Sequence, residues 1–273
     1  MPEITAGDIT LHYTDSGGSG RPVVLIHGWP LSGAAWSEQV PALTEAGHRV
    51  ITYDRRGFGE SSKPADGYDY DTFADDLAAL LEGLDLTDVS LVGFSMGGGE
   101  VARYVGRHGT DRLHSVAFAG AVPPYMLKTE DNPDGGPSEE DVQGMEEGAR
   151  TDRANFLDGF TTGFFSVGEE LKVSEEQRQE ALALQQPARD EAVVGCIDAF
   201  ARTDFRADLP KVDVPALVLH GDSDAIVPLE ASGQRTAEAV ADSTLVVIEG
   251  APHGFNVSHA AEFNRALVDF LAR

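Results

Sequence analysis

The chain has 273 residues, of which 41% are hydrophobic, 30 are glycine and one, Cys196, is cysteine; this excludes a disordered, collagen-like or coiled-coil chain, a disulfide framework and a cysteine-based metal site. Its 46 acidic residues against 20 basic ones give a formal charge of −26, which repels nucleic acid and anionic membranes. No apolar run reaches the ~18–20 residues of a membrane span, and Met1-Pro2-Glu3 opens no basic or apolar leader, so the expectation is a cytoplasmic chain that binds neither nucleic acid nor membrane.

Ile4 to Tyr13, broken at Gly7-Asp8, reads as an antiparallel hairpin. Pro22–Ile26 is a short, continuous apolar run, the pattern of a strand buried on both faces. The runs Arg49–Tyr53, Val89–Gly93, Leu113–Phe118, Ala216–Leu219 and Thr244–Ile248 repeat it. Between them lie helical stretches. Phe73, Leu77, Leu80, Leu81 and Leu84 form one stripe over Asp71–Gly83, and Phe263, Leu267, Phe270 and Leu271 form another near the C-terminus, with Ser258 as candidate N-cap. Strand–helix alternation predicts an α/β fold with a mostly parallel central sheet flanked by helices. The rhythm breaks after Val122. Pro123-Pro124 and Asp131-Asn-Pro-Asp-Gly-Gly-Pro137 are loop signals, and the stretch to Phe205 reads as short helices. Residues 122–205 are therefore expected to form a helical cap inserted into a core made of 1–121 and 206–273.

Gly93-Phe94-Ser95-Met96-Gly97 lies between the apolar run Val89–Gly93 and a plausible helix. Bare G-x-S-x-G is weak, but strand, sharp turn and helix are the setting in which it presents a nucleophilic serine. A serine hydroxyl needs a base. Of eight histidines, His253 in Gly250-Ala-Pro-His-Gly254 follows a late strand, where parallel sheets gather site residues. His220 reads as a packed core histidine, and His259 as part of the last helix. The acid that orients the imidazole is expected in His220-Gly-Asp-Ser-Asp224, with Asp224 the better placed and Asp222 bracing the loop. The chain order Ser95, Asp224, His253 is that of α/β-hydrolases. Two oxyanion donors are expected: the backbone N–H of Met96, at a helix start, and that of Trp29, since Pro30 has none.

His27-Gly-Trp-Pro30, Tyr53-Asp-Arg-Arg-Gly-Phe-Gly-Glu-Ser61, Gly93-Phe-Ser-Met-Gly-Gly-Gly-Glu-Val-Ala-Arg-Tyr104 and Gly250-Ala-Pro-His-Gly254 resemble the cofactor-free, non-haem chloroperoxidases. These are α/β-hydrolases that also act as perhydrolases, aryl esterases or γ-lactamases. The resemblance spans the whole chain and implies the α/β-hydrolase fold with its cap. It implies catalysis by Ser95, Asp224 and His253, oxyanion donors at Trp29 and Met96, and no cofactor or metal. It also implies the chemistry: a short carboxylic acid or ester acylates the serine, hydrogen peroxide attacks in place of water, and the released peracid oxidises halide.

The expected partners are small molecules: an ester, a carboxylic acid, peroxide, or, in the alternative reading, a small lactone or lactam. A non-catalytic small-molecule receptor on a hydrolase scaffold is the remote alternative, and homo-oligomerisation stays open. Trp29, Phe94, Phe118, Val122, Phe160, Phe164, Ile226 and Phe255 are candidate pocket residues. The Asp54–Ser61 turn reads as scaffolding without a chemical role, and Trp36 as core.

The acidic excess, with only Lys63, Lys128, Lys172 and Lys211 as lysines, is that of salt-adapted proteins, although a GC-rich genome also yields arginine- and alanine-rich chains. Like charges oppose compaction, and raising salt from 0.1 to 1 M shortens the Debye length from about 10 Å to about 3 Å. The melting temperature is therefore expected to rise by several degrees on going from low salt to molar KCl. Salt also strengthens apolar burial, so the control is a variant with exposed Asp and Glu changed to Asn and Gln. An equal gain in that variant contradicts charge screening.

Overall fold

The apolar runs of the sequence become the strands of one eight-stranded sheet. The structure is a computed structural model and describes residues 2–273. In chain order the elements are β1 (Glu3–Ala6), β2 (Ile9–Asp15), β3 (Pro22–Ile26), α1 (Gln39–Glu45), β4 (Arg49–Tyr53), α2 (Tyr70–Gly83), β5 (Val89–Phe94), α3 (Met96–His108) and β6 (Leu113–Ala119). Then come α4 (Glu139–Thr151), α5 (Arg153–Phe164), the two-residue strands β7 (Ser166–Val167) and β8 (Glu170–Leu171), α6 (Glu175–Gln185) and α7 (Asp190–Arg202). The chain closes with β9 (Ala216–Gly221), α8 (Gly233–Ala239), β10 (Ser243–Ile248), α9 (Phe255–Ser258) and α10 (Ala260–Leu271).

The sheet order is β1-β2-β4-β3-β5-β6-β9-β10. β1 and β2 pair antiparallel, as the Gly7-Asp8 break predicts, and β2 runs antiparallel to β4. All strands from β4 to β10 in this order are parallel to their neighbours. The chain leaves β3 toward β4 on one side and later returns to β5 on the other. That reversal is the crevice where α/β sheets bind ligands. It places the loop after β3, which carries Trp29, beside the turn after β5, which carries Ser95.

Both faces of the sheet are covered, so side chains alternate between two cores. Val24, Ile26, Leu91, Val116, Phe118 and Val218 pack toward α2, α3 and α8. Val23, Leu25, Val92, Ala117 and Leu217 pack toward α1 and α10. The stripe Phe73, Leu77, Leu80 and Leu81 is the buried face of α2, whose first turn is capped by the Asp69 carboxylate. The stripe of α10 is buried as expected, but its start differs. α10 begins after His259, which has φ −126° and makes no side-chain cap bond. Ser258 instead ends α9, and its hydroxyl pairs with His259 Nδ1 at 2.9 Å. The break between the four-residue α9 and α10 moves the serine out of the capping position.

Four helices, α4 to α7, occupy the span between β6 and β9, and the antiparallel pair β7–β8 lies among them. Val142, Leu157, Val193 and Ile197 join the buried cluster that also holds α2 and α3. Among the described residues, no helix is long and apolar enough to cross a membrane.

β3 and α3 approach so closely that a Cβ on Gly97 would sit 2.3 Å from the carbonyl oxygen of Ile26. That oxygen belongs to a central strand and has no room to retreat. Gly97→Ala is expected to cost about 1–3 kcal/mol, read as a lower melting temperature. Gly144→Ala is the control. It lies inside α4 with open space around it, so alanine there should be neutral or mildly stabilising. Equal effects at the two positions contradict the packing account.

Candidate active site

The turn between β5 and α3 holds Ser95 at φ +55° and ψ −119°, a left-handed backbone that costs a non-glycine residue about 1–3 kcal/mol. Three hydrogen bonds fix it: Ser95 N–H donates to Ala119 O at 2.9 Å, and Ser95 O accepts from Gly98 N–H at 3.0 Å and Val122 N–H at 3.2 Å. The flanking glycines are required by space. A Cβ on Gly93 would meet the Gly97 carbonyl oxygen at 2.4 Å. The result lifts the Ser95 side chain above the sheet and leaves it 8% exposed.

His253 follows β10, and its Nε2 lies 2.9 Å from Ser95 Oγ. Its Nδ1 lies 2.6 Å from Asp224 Oδ2. With Nδ1–H donating to the carboxylate, Nε2 is free to accept the serine proton. Asp224 Oδ1 accepts from the N–H groups of Ile226 at 2.9 Å and Val227 at 2.8 Å. Burial alone would raise the Asp224 pKa, but the charge of His253 and the hydrogen bonds from His220 and His253 outweigh it and hold the carboxyl well below its usual range. His220 is fully buried, with Nε2 2.8 Å from Val227 O and 3.5 Å from Asp224 Oδ2. It therefore pins the acid loop from behind. Asp222 points away and accepts from Gly250 N–H at 2.7 Å.

The backbone N–H groups of Trp29 and Met96 donate to no other protein group among the described residues, and both belong to the loops that meet at the sheet reversal. The loop carrying Trp29 is held by a network that the sequence reading missed. Arg55 and Glu100 form an ion pair at 2.7 Å with both side chains 1% exposed. The Arg55 guanidinium donates to His27 O at 2.8 Å, and Arg55 N–H donates to His27 Nε2 at 3.0 Å. His27 Nε2 is thus an acceptor, and Nδ1–H donates to Gly28 O at 2.8 Å. Burial, then the Arg55 charge, pushes the His27 pKa well below its ordinary value, so the neutral ring persists. Tyr53 O–H donates to the other oxygen of Glu100. Burial opposes the charge on Arg55, but Glu100 more than offsets this and keeps the guanidinium ionised. Arg55 and Glu100 thereby join the Trp29 loop to the helix that follows Ser95. Nearby, a Cβ on Gly59 would strike Asp54 Oδ2 at 2.1 Å, in keeping with a scaffolding role for that turn.

A cavity of about 660 Å³ opens above Ser95. Of the expected pocket residues, Trp29, Val122, Phe160 and Ile226 line it, joined by Met126, Met145, Phe156 and Phe200. The Trp29 indole donates to Val193 O at 3.0 Å and packs edge-on against Phe160, with ring centres 4.9 Å apart. Phe94, Phe118, Phe164 and Phe255 do not border the cavity, which corrects the expectation. Phe118 falls on the α2–α3 side of β6 by strand alternation. Phe94 and Phe164 flank the His253 ring, at 5.3 and 5.1 Å between centres, and Phe255 packs behind Phe94 at 6.0 Å. These rings pack around the buried imidazole instead of lining the cavity.

Removing Arg55 alone leaves Glu100 buried and unpaired. Arg55→Met is expected to cost about 3–5 kcal/mol, whereas Arg55→Met/Glu100→Leu should recover most of that loss. Turnover should stay low in both, because His27 has lost its clamp. Denaturant unfolding with ester kinetics checks this; wild-type turnover in the double variant contradicts the positioning role.

The family described as alpha/beta hydrolase fold matches residues 21–260. The non-heme chloroperoxidase CPO-A1 of Kitasatospora aureofaciens is 47% identical over 99% of each chain. The bifunctional esterase/perhydrolase DCH of Acinetobacter calcoaceticus is 38% identical, again over 99% of each. The crystal structure of a bromoperoxidase from Bacillus anthracis superposes with a TM-score of 0.97 at 53% identity, covering 100% of this chain and 99% of that one. The chain belongs to the α/β-hydrolase fold family.

Proposed function

We propose that this enzyme is a serine esterase that also forms peracids from carboxylic acids and hydrogen peroxide. The observation that carries the reading is the relay from Ser95 Oγ to His253 Nε2 at 2.9 Å and from His253 Nδ1 to Asp224 at 2.6 Å, with Ser95 bordering an apolar cavity. Similarity to chloroperoxidase and esterase/perhydrolase chains over nearly their whole length supports it.

In this mechanism His253 takes the Ser95 proton as Oγ attacks the acyl carbon. The oxyanion receives the N–H groups of Trp29 and Met96, the latter at the positive end of α3. His253 then gives the proton to the leaving alcohol, or to hydroxide leaving as water when the substrate is a free acid. Asp224 keeps the imidazole in the Nδ1–H tautomer and stabilises its charged form. Water attacking the acyl-enzyme releases an acid, and hydrogen peroxide attacking it releases a peracid. The helices within 122–205 serve as the cap that walls the acyl site through Phe156, Phe160 and Phe200. Halide oxidation then occurs outside the site, by the released peracid.

Ser95→Ala should lower kcat by ~10⁶-fold, with His253→Ala nearly as severe and the double variant little worse, because the residues act as one unit. Bromide oxidation should require acetate or a similar carboxylate, survive chelators and disappear in Ser95→Ala. Halogenation that persists in Ser95→Ala, or ignores the carboxylate, contradicts the reading.

A further inference from the structure

The wall of the cavity above Ser95 contains two thioethers. Met126, 3% exposed, lies in the segment after β6, and Met145 lies on α4; both border the same space as Ser95. A Cβ on Gly136 would approach Met126 Cε to 3.3 Å, so glycine there makes room for the methionine. Around them the wall is mainly aromatic and aliphatic, and a thioether is among the most readily oxidised side chains. A peracid leaving Ser95 enters this space before it reaches solvent. One molecule in about 660 Å³ corresponds to an effective concentration of about 2.5 M, far above what turnover builds up in solution.

We propose that Met126 and Met145 are self-oxidation sites, modified by the peracid that the enzyme makes. The inference rests on the peracid-forming reading above. A sulfur lone pair attacks the terminal oxygen of the peracid, the O–O bond breaks, and an S–O bond forms. Sulfur is oxidised by two electrons to the sulfoxide. The peracid is reduced to the parent carboxylic acid, which keeps the proton. No other reactant is needed. A sulfoxide is polar and chiral, so each event places a dipole in an apolar wall and weakens the hold on apolar acyl groups. Turnover with peroxide thus acts as a brake on the site. Met96, next to the nucleophile in sequence, is fully buried and outside the cavity wall, and stays a thioether.

The test treats the whole protein with acetate and hydrogen peroxide in the presence of an excess methionine-containing peptide, too long to enter the cavity, which consumes peracid in solution. Peptide mass mapping then reads each methionine. On the order of tenfold more sulfoxide is expected at Met126 and Met145 in wild type than in Ser95→Ala or with peroxide alone, with Met96 unmodified. Equal oxidation in Ser95→Ala overturns the inference. So does peracid production, shown by bromide oxidation without the scavenger, with Met126 and Met145 left intact; the peracid-forming reading then survives. Absence of any peracid overturns both. A second readout is activity lost per turnover in Met126→Leu/Met145→Leu, each protein scaled to its own initial rate. The variant should decay several-fold more slowly, and equal decay contradicts the brake.

Discussion

Ser95 holds φ +55° between β5 and α3, and much of the surrounding packing serves to keep it there. A serine resists that backbone by about 1–3 kcal/mol. The turn offsets the strain with three backbone hydrogen bonds to β6, α3 and the segment after β6, and with strand–helix contact so close that Gly93 and Gly97 have no room for a side chain. Because β5 lies in the middle of the sheet, with β3 and β6 on either side, relaxing the turn would disturb three strands at once. The Ser95 turn is held firmly because it sits at the centre of the sheet.

The second arm of the site depends on charge buried in that same region. Arg55 and Glu100 could be replaced by apolar residues with little loss of stability, since a buried ion pair barely offsets its desolvation. Its value is geometric. The guanidinium plane bonds one partner on α3 and one on the loop after β3, and so sets the distance between that loop and the start of α3. His27 completes the clamp through its neutral tautomer. On the opposite side, His220 and the N–H groups of Ile226 and Val227 do the same for Asp224. The geometry of Ser95, His253 and Asp224 is thus fixed by side chains and backbone groups outside the relay itself.

The strands and the turns carrying Ser95, Asp224 and His253 were legible because apolar runs, glycines and loop residues mark them locally. Arg55 and Glu100 were not. Arg55 lies in the Asp54–Ser61 turn, which reads as scaffolding, and its partner lies 45 residues away on a helix whose other charged residues are solvent-facing or paired at the surface. Phe118 was misplaced for a related reason: a strand buried on both faces is apolar throughout, so its sequence does not say which side chain faces which layer. Met126 lies in the loop after β6 and Met145 on α4, and only the folding of these separate segments brings both over Ser95. Of the aromatic residues on α5, Phe160 was expected at the pocket and borders it, whereas Phe156, one helical turn earlier, borders it without having been among the expected residues.

The central claim is that Ser95 becomes acylated, and rapid acid quench of the enzyme turning over a p-nitrophenyl ester reads it directly. Intact and peptide mass analysis should show one added acyl group on the peptide containing Ser95, absent in Ser95→Ala and shortened in lifetime by hydrogen peroxide. An active enzyme without that adduct under conditions of a product burst, or with the acyl group on another residue, would contradict the account.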